Sequence, residues 1–245
     1  MNPSKGDLPL AVVTGAAIRL GRGIVEALAG QGYPVGLHYH NSKAEADELK
    51  EEITARGGTA YLLPADLSEP SQIKDLFDRI ARLPHRLGVW VNSAALMNPG
   101  DLTTMSVDEW DATLALNLRA PWLCAREAAA CMEVEGGVII NITDVGAQKN
   151  WTGYPAYTVS KAALETLTRL LARQLAPKVR VNAVAPGLIL PSATISTEEW
   201  QRLVNRVPLK KAGSPEAVAQ AVISLIQNGY ITGETIKVDG GYALL

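Results

Sequence analysis

The chain has 245 residues, 47% of them hydrophobic and 20% charged, and its 23 basic and 25 acidic side chains leave a formal net charge of −2. A chain this long buries enough surface to fold without disulfide or metal staples. The composition excludes disorder, and the near-zero charge argues against a nucleic-acid partner, which would require a basic excess. Aromatics are scarce: five Trp, seven Tyr and the single Phe77 amount to 5% of the chain, so few surfaces suit a flat ligand. Cys124 and Cys131 stand seven apart in a helical-looking stretch. That is no metal-ligand spacing, and it suits two small buried thiols on one helix face in a reducing compartment. No apolar run reaches the ~18 residues of a membrane span, and the polar start MNPSKGDLP has no signal-peptide core. Both point to a cytosolic protein without a membrane partner.

In chain order, short apolar runs at Leu10–Thr14, Val35–Tyr39, Ala60–Pro64, Val89–Asn92, Val138–Ile142, Val179–Val184 and Thr235–Val238 predict strands. Several are continuously apolar, as parallel strands buried on both faces are. Helical patterns lie between them at Gly21–Gly30, Ser42–Arg56, Ser71–Leu83, Val107–Met132, Ala156–Ala176 and Pro215–Gln227. In the third of these Ile73, Leu76, Phe77 and Ile80 form a core-facing stripe. Strand–helix alternation without repeat or linker predicts one α/β domain over residues 1–245, a doubly wound parallel sheet with helices on both faces. Ligands of such sheets bind beyond the carboxyl ends of the strands.

The first strand-to-helix turn is Thr14-Gly15-Ala16-Ala17-Ile18-Arg19-Leu20-Gly21. Gly15 permits a tight turn and Gly21 close helix–sheet packing, while the N–H groups opening the helix suit a pyrophosphate. The GxGxxG spacing is not met, and two glycines alone also describe an ordinary turn. An NAD site usually has an acid about 20 residues on, against the ribose hydroxyl. Here the second strand ends in Leu37-His38-Tyr39-His40-Asn41-Ser42, and no Asp or Glu occurs between Glu26 and Glu45. The missing acid, with Arg19 able to turn toward the same place, favours a 2′-phosphate and hence NADP. His38 and His40, taken singly, also read as strand-end polar residues.

Tyr157 and Lys161 are four apart, on one face of a helix. A phenol is a weak acid with a reference pKa near 10, and a neighbouring ammonium lowers that value. The pair therefore predicts a proton donor for a carbonyl or imine receiving hydride. Alone it is a common coincidence. Here it is one of a series that follows in order: the turn at 14–21, Asp66-Leu67, Asn92-Ser93-Ala94-Ala95, Asn117, Tyr157 with Lys161, Pro186-Gly187 and Val238-Asp239-Gly240-Gly241. In this combination the chain resembles the short-chain dehydrogenase/reductase family over essentially its whole length.

The resemblance implies a single-domain Rossmann-type sheet of seven parallel strands in the order 3-2-1-4-5-6-7, and a homotetramer or homodimer packed through the two long helices. It implies that NADP(H) rests on Gly15, Ile18, Arg19, Leu20 and Gly21, and at the end of the second strand on His38, Tyr39, His40, Asn41 and Ser42. Asp66 and Leu67 would meet the adenine, Asn92 the adenosine-side ribose with Ser93 and Ala94 beside it, and Pro186, Gly187 and Leu188 the nicotinamide. Tyr157 would be the general acid, Lys161 would hold the nicotinamide ribose and lower the Tyr157 pKa, and Asn117, near the helix-disturbing Pro121, would hold a relay water.

Most family members carry a Ser thirteen residues before the Tyr, and here that position is Asp144. An ionised carboxylate only accepts hydrogen bonds, so it cannot replace the hydroxyl for a simple ketone. It suits a substrate with N–H groups or with a ring nitrogen that needs a proton, and a pterin has both. Asp here, the Arg19 turn, Leu37-His38-Tyr39-His40, Val207-Pro208-Leu209 and Tyr230-Ile231-Thr232-Gly233 resemble the pteridine reductase and dihydromonapterin (dihydrofolate) reductase subgroup. The subgroup implies NADPH-dependent reduction of a small-molecule pterin or dihydropterin, with Asp144 and Tyr157 supplying the proton, Arg19, Ala95 and Met97 also at the substrate, and residues 188–205 as the substrate loop. Leu96-Met97, Ile189 and Asn41 depart from its pattern, the first where a stacking aromatic is expected; Tyr154 or Trp200 would have to supply the flat surface. A general reductase of 3-oxoacyl or other ketones is the alternative. A non-catalytic NADP-binding regulator would show a lost Tyr or Lys, and both are present.

Overall fold

The computed structural model describes residues 8–192 and 195–245. The polar start at 1–7 and two positions of the expected substrate loop, 193 and 194, lie outside the described residues. Seven strands form one parallel sheet: β1 Leu10–Val13, β2 Val35–Tyr39, β3 Ala60–Pro64, β4 Leu87–Asn92, β5 Gly137–Ile142, β6 Val179–Pro186 and β7 Thr235–Val238. Their order is β3-β2-β1-β4-β5-β6-β7, as the family resemblance implies, and every pairing is parallel. The chain reverses direction of travel across the sheet between β3 and β4, so the carboxyl ends of β1 and β4 diverge and leave a crevice there.

The helices are α1 Arg19–Gly30, α2 Lys43–Ala55, α3 Pro70–Ile80, α4 Val107–Leu114, α5 Ala120–Cys131, α6 Gly146–Lys149, α7 Pro155–Leu175, α8 Thr197–Arg206 and α9 Pro215–Gln227. Alternate strand residues face opposite layers. Ala11, Val13, Val89 and Val91 pack with Ile24 and Leu28 of α1, Leu49 of α2 and Val222 of α9. Leu10, Val12, Trp90 and Ile139 pack with Leu76 and Phe77 of α3, Cys124 of α5 and Ala172 of α7. Phe77 sits in that stripe as the periodicity predicts, its ring centroid 4.8 Å from that of Trp90.

Three expectations need correction. The helix expected over 107–132 is broken by a π-turn at Ala115–Arg119. Pro121 has no N–H to give to the Asn117 carbonyl in an α-ladder, and the register widens where that bond is lost. The stretch expected as a substrate loop contains the helix α8, whose N-cap Ser196 accepts the Glu199 N–H. Cys124 is buried but Cys131 is exposed: it is the last residue of α5, and Met132 rather than Cys131 enters the core. Among the described residues no helix is long and apolar enough to cross a membrane.

The β1–α1 turn shows how tightly the crevice is built. Gly15 has φ +64°, and a Cβ there would lie 3.0 Å from Ala94 Cα. A Cβ on Gly21 would stand 2.1 Å from the Gly15 carbonyl oxygen. Thr14 Oγ1 accepts the N–H groups of Ser93 and Ala94 at 2.8 and 2.9 Å, tying the ends of β1 and β4 together. Gly21→Ala must therefore open the turn. Overpacking of this kind costs about 1–3 kcal/mol, and a melting temperature lower by roughly 2–12 °C is expected in calorimetry.

Candidate active site

Beyond the carboxyl ends of β1, β4, β5 and β6 lies a cavity of about 800 Å³. Its walls include Gly15, Ile18, Arg19, Leu20 and Gly21 of the first turn, His38, His40, Asp66 and Leu67 on one side, Ser93, Ala94, Ala95 and Met97 above β4, and Asp144, Tyr157, Lys161, Pro186 and Gly187 at the other end. Most of the expected site residues therefore meet in one place, although they come from seven separate stretches of chain. Tyr39, Asn41, Ser42, Asn92, Asn117 and Leu188 are not in that lining.

The reasons differ. Tyr39 is buried against Ala17 and Ala46. The Asn92 side chain is engaged inside the sheet, accepting the Trp90 indole N–H at 2.7 Å and donating to Asn141 Oδ1 at 2.8 Å. Asn117 accepts the Leu96 N–H and donates to the Leu96 carbonyl and to Ser160 Oγ, so its side chain clamps the segment after β4 to α7. His38 lines the cavity but is buried beneath the turn. Its Nδ1 accepts the Gly15 N–H at 3.1 Å, and Nε2 faces the Ala65 carbonyl at 3.1 Å, which fixes the neutral Nε2–H tautomer. Burial pushes its pKa down to about 4. His38 thus braces the turn, and His40, more than half exposed and 3.8 Å from Asp66 Oδ2, is the imidazole that faces open space.

Arg19 departs from the position expected of it. With φ +51° it turns away from the end of β2, and Nη2 donates to the carbonyls of Pro191 at 2.9 Å and Leu190 at 3.5 Å. It stands between the first cavity and a second one of about 570 Å³, which shares Met97, Asp144, Gly187 and Leu190 with the first. Leu188 lines this second cavity. So do Trp151, Tyr154, Trp200 and Tyr242. Four of the thirteen aromatics are gathered here. Trp151 is central, with ring centroids 6.5 Å from those of both Tyr154 and Tyr242. Trp151 and Tyr242 were not legible as site residues; the only sequence signal was the local density of aromatics around 151–157.

At the junction of the two cavities Tyr157 Oη donates to Asp144 Oδ2 at 2.8 Å, and the Gly146 N–H donates to Asp144 Oδ1 at 2.6 Å. Burial raises the Asp144 carboxyl to about 6, against the lowering effect of those two donors and of Lys161. Lys161 is buried, which lowers it to about 8; its Nζ donates to the Ile142 carbonyl at 2.8 Å and lies 5.6 Å from the Tyr157 ring centroid. The net shift at Tyr157 is upward, opposite in direction to the lowering expected from Lys161. Burial and the adjacent Asp144 push the phenol well above its ordinary value, because the carboxylate touches the hydroxyl directly while the ammonium lies beside the ring. The phenol is held protonated, as a donor has to be.

The first cavity also fits a dinucleotide. The N-cap of α1, Ile18, makes no side-chain cap bond, and the first turn has no acid, so its N–H groups open toward the cavity with the partial positive charge of a helix start. At the far end Asp66 is held by Ser68 N–H and Oγ–H, at 2.9 and 2.7 Å.

A family model described as Enoyl-(Acyl carrier protein) reductase matches residues 15–243. The 3-oxoacyl-[acyl-carrier-protein] reductase FabG of Staphylococcus epidermidis is 34% identical over 238 residues, covering 94% of this chain and 97% of the relative. Among solved structures, FolM alternative dihydrofolate reductase 1 from Brucella suis, in complex with NADP, is 34% identical with a TM-score of 0.91, over 99% of this chain and 97% of that one. A blue fluorescent protein from a metagenomic library, in complex with NADPH, is 32% identical with a TM-score of 0.91, over 98% and 100%.

The raised Asp144 carboxyl makes a stability prediction with a definite sign. Folded Asp144 binds its proton up to about pH 6, the unfolded chain only up to its ordinary 3.8, so this group's contribution falls as pH rises between those values and stays a penalty above them. His38 acts oppositely: its folded value of about 4 against 6.5 removes stability as pH falls through that window. Asp144→Asn lifts the first penalty. It is expected to melt several degrees above wild type at pH 8, with the gap closing by pH 4, in thermal scans across pH.

Proposed function

Because the chain belongs to the short-chain dehydrogenase/reductase family, we propose that it is an NADPH-dependent reductase of a pterin or dihydropterin, with Asp144 and Tyr157 supplying the proton. The single observation that carries this reading is the 2.8 Å hydrogen bond from the Tyr157 hydroxyl to the buried Asp144 carboxylate. A ketone reductase needs neutral donors at a developing alkoxide, and a carboxylate there would repel it. A ring nitrogen gaining a proton, next to N–H groups that a carboxylate can accept, is the substrate for which Asp144 is the suitable neighbour. The four aromatics of the second cavity offer a flat ring the surfaces that Leu96-Met97 do not.

NADP(H) would be held by the uncapped start of α1 and the wall from Gly15 to Gly21, with Lys161, Pro186 and Gly187 at the nicotinamide end. When bound, the nicotinamide supplies the hydride. The chain itself binds the ring of the substrate, excludes water from it and delivers the proton through Tyr157 Oη. Asp144 orients that hydroxyl and resupplies it, Gly146 N–H fixes the carboxylate, and Lys161 offsets the negative charge left behind. Asn117 acts by locking the segment at Leu96 to Ser160 of α7. Leu188, Leu190, Trp200 and Leu203 line the substrate side, with Arg19 at the boundary between cofactor and substrate. The protein works as a homotetramer or homodimer through α5 and α7, whose outer faces expose Trp122, Val159 and Leu170.

The FabG likeness favours a second reading, reduction of 3-oxoacyl or other ketones. Incubation with NADPH and biopterin, dihydrobiopterin, dihydromonapterin or dihydrofolate decides between them, followed by absorbance. Oxidation with at least one of these is expected, and Asp144→Ser is expected to collapse it. No oxidation with any, together with ketone turnover that persists or rises in Asp144→Ser, establishes the second reading. At the other end of the cavity the stretch after β2 has no acid before Glu45, and His40 faces the space. NADPH is therefore expected to exceed NADH in kcat/KM by roughly tenfold or more, the worth of one charge-assisted contact; equal values would remove the 2′-phosphate assignment.

A further inference from the structure

His40 follows the last residue of β2 and lines the cavity. Its side chain is 56% exposed and faces Asp66 Oδ2 at 3.8 Å, longer than a hydrogen bond. Among the described residues no hydrogen bond holds the ring, so it is free to turn toward a ligand. Asn41 and Ser42, which come next, carry no charge. His38, two residues earlier, is buried, neutral and spent on the Gly15 N–H and the Ala65 carbonyl.

The permanent cations around this end are engaged by protein oxygens. Lys43, the only Lys or Arg between Arg22 and Lys50, pairs with Asp47 on α2. Arg22 of α1 pairs with Glu26 and Glu52. Arg79 of α3 donates to the carbonyls of Pro64 and Asp75. Of the two arginines that line the cavity, Arg119 gives Nη2 to the Ser68 carbonyl at 2.7 Å, and Arg19 is held by the 190–191 carbonyls. The acids of the neighbouring elements are placed as well. Asp66 Oδ1 accepts from Ser68 N–H and Oγ–H, Asp47 belongs to Lys43, and Glu45 and Glu69 are exposed. The positive charge that the end of β2 can turn toward a phosphate therefore comes from one imidazole, a group that gains or loses its charge between about pH 5 and 8.

We propose that His40 sets the choice between NADP(H) and NAD(H), and that this choice fades as pH rises, because the 2′-phosphate is met by an imidazolium rather than by a permanent cation. This rests on the reading of the 2′-phosphate at the end of β2 and is independent of the pterin. Protonated, the ring gives a phosphate oxygen a charge-assisted N–H bond, about twice as strong as a neutral one. Deprotonated, it keeps only a neutral donor. An arginine in its place would hold its charge throughout. The phosphate carries its second negative charge above about pH 6, so from pH 6.5 upward the imidazole is the partner whose charge changes. NAD(H) lacks the phosphate and shares every other contact. Lys161, lowered by burial to about 8, acts on both dinucleotides alike and cancels in their ratio.

Calorimetric titration with NADP+ and with NAD+ reads this without turnover. The Kd for NAD+ divided by the Kd for NADP+ is expected to fall about tenfold from pH 6.5 to pH 9. In His40→Gln, an exposed substitution that keeps a neutral donor, the ratio is expected to stay near the wild-type pH 9 value at every pH. In His40→Arg it is expected to stay high up to pH 9. Proton NMR supplies a second reading, since the chain has three histidines. The imidazole signal lost in His40→Gln is expected to raise its midpoint by about one pH unit with adenosine 2′,5′-bisphosphate and to hold it with adenosine 5′-monophosphate, the same tenfold seen from the proton's side. A midpoint that does not move with the bisphosphate overturns the proposal. So does a ratio that favours NADP+ equally at every pH, which would put the phosphate on Arg19 or Arg119. Equal affinities throughout overturn it together with the 2′-phosphate reading. Absence of pterin turnover removes the proposed substrate and leaves these binding results to decide the role of His40.

Discussion

A phenol that donates to a buried carboxylate sets a proton between two groups that compete for it, and much of this structure serves to hold that bond. Tyr157 is fixed by the long helix α7, and Asp144 by the end of β5 and the Gly146 N–H of α6. Burial raises both groups, Asp144 to about 6, so the carboxyl exchanges its proton in the range where a reductase has to work. Lys161 cannot undo this, since its ammonium is tied to the Ile142 carbonyl rather than to the phenol.

The bond needs a rigid floor, and a chain of buried amides and hydroxyls provides it. Trp90 donates to Asn92, Asn92 to Asn141, Asn141 to Thr168, and Thr168 to the Leu164 carbonyl. These links join β4, β5 and α7 across the core. Each side chain in this series has its partner, so the network restricts sliding of α7 along the sheet rather than weakening the core. Thr14 and His38 do the same for the β1–α1 turn, tying it to β4 and to the Ala65 carbonyl. The two ends of the cavity are therefore set by hydrogen bonds that never touch a ligand.

Strands and most helices were legible because burial writes itself into periodicity: continuous apolar runs became the seven strands, and the Ile73–Ile80 stripe faces the core. The π-turn was legible only as a Pro121 disturbance, since widening by one residue leaves the apolar pattern almost intact. Helix α8 was hidden by its polarity. It packs one side on a small cluster with Val204 and Trp200, which is too short a stripe to stand out. Asp144, Tyr157 and Lys161, singled out by identity, meet at one cavity, whereas the side chains of His38, Asn92 and Asn117 hold neighbouring backbone or core groups.

By itself the sequence determined the class of sheet, the crevice at its carboxyl ends and the family, because these follow from local period and from the order of motifs along the chain. The tertiary structure decided the energetics. Whether the Tyr157 proton affinity falls or rises depends on which charge touches the hydroxyl, and that is a matter of ångströms between residues thirteen apart in one case and four in the other. It also decided where the few aromatics go: Trp151, Tyr154, Trp200 and Tyr242, spread over 92 positions, line one cavity. Composition counts rings, but only packing of α6, α8 and the C-terminal turn brings them face to face with one space.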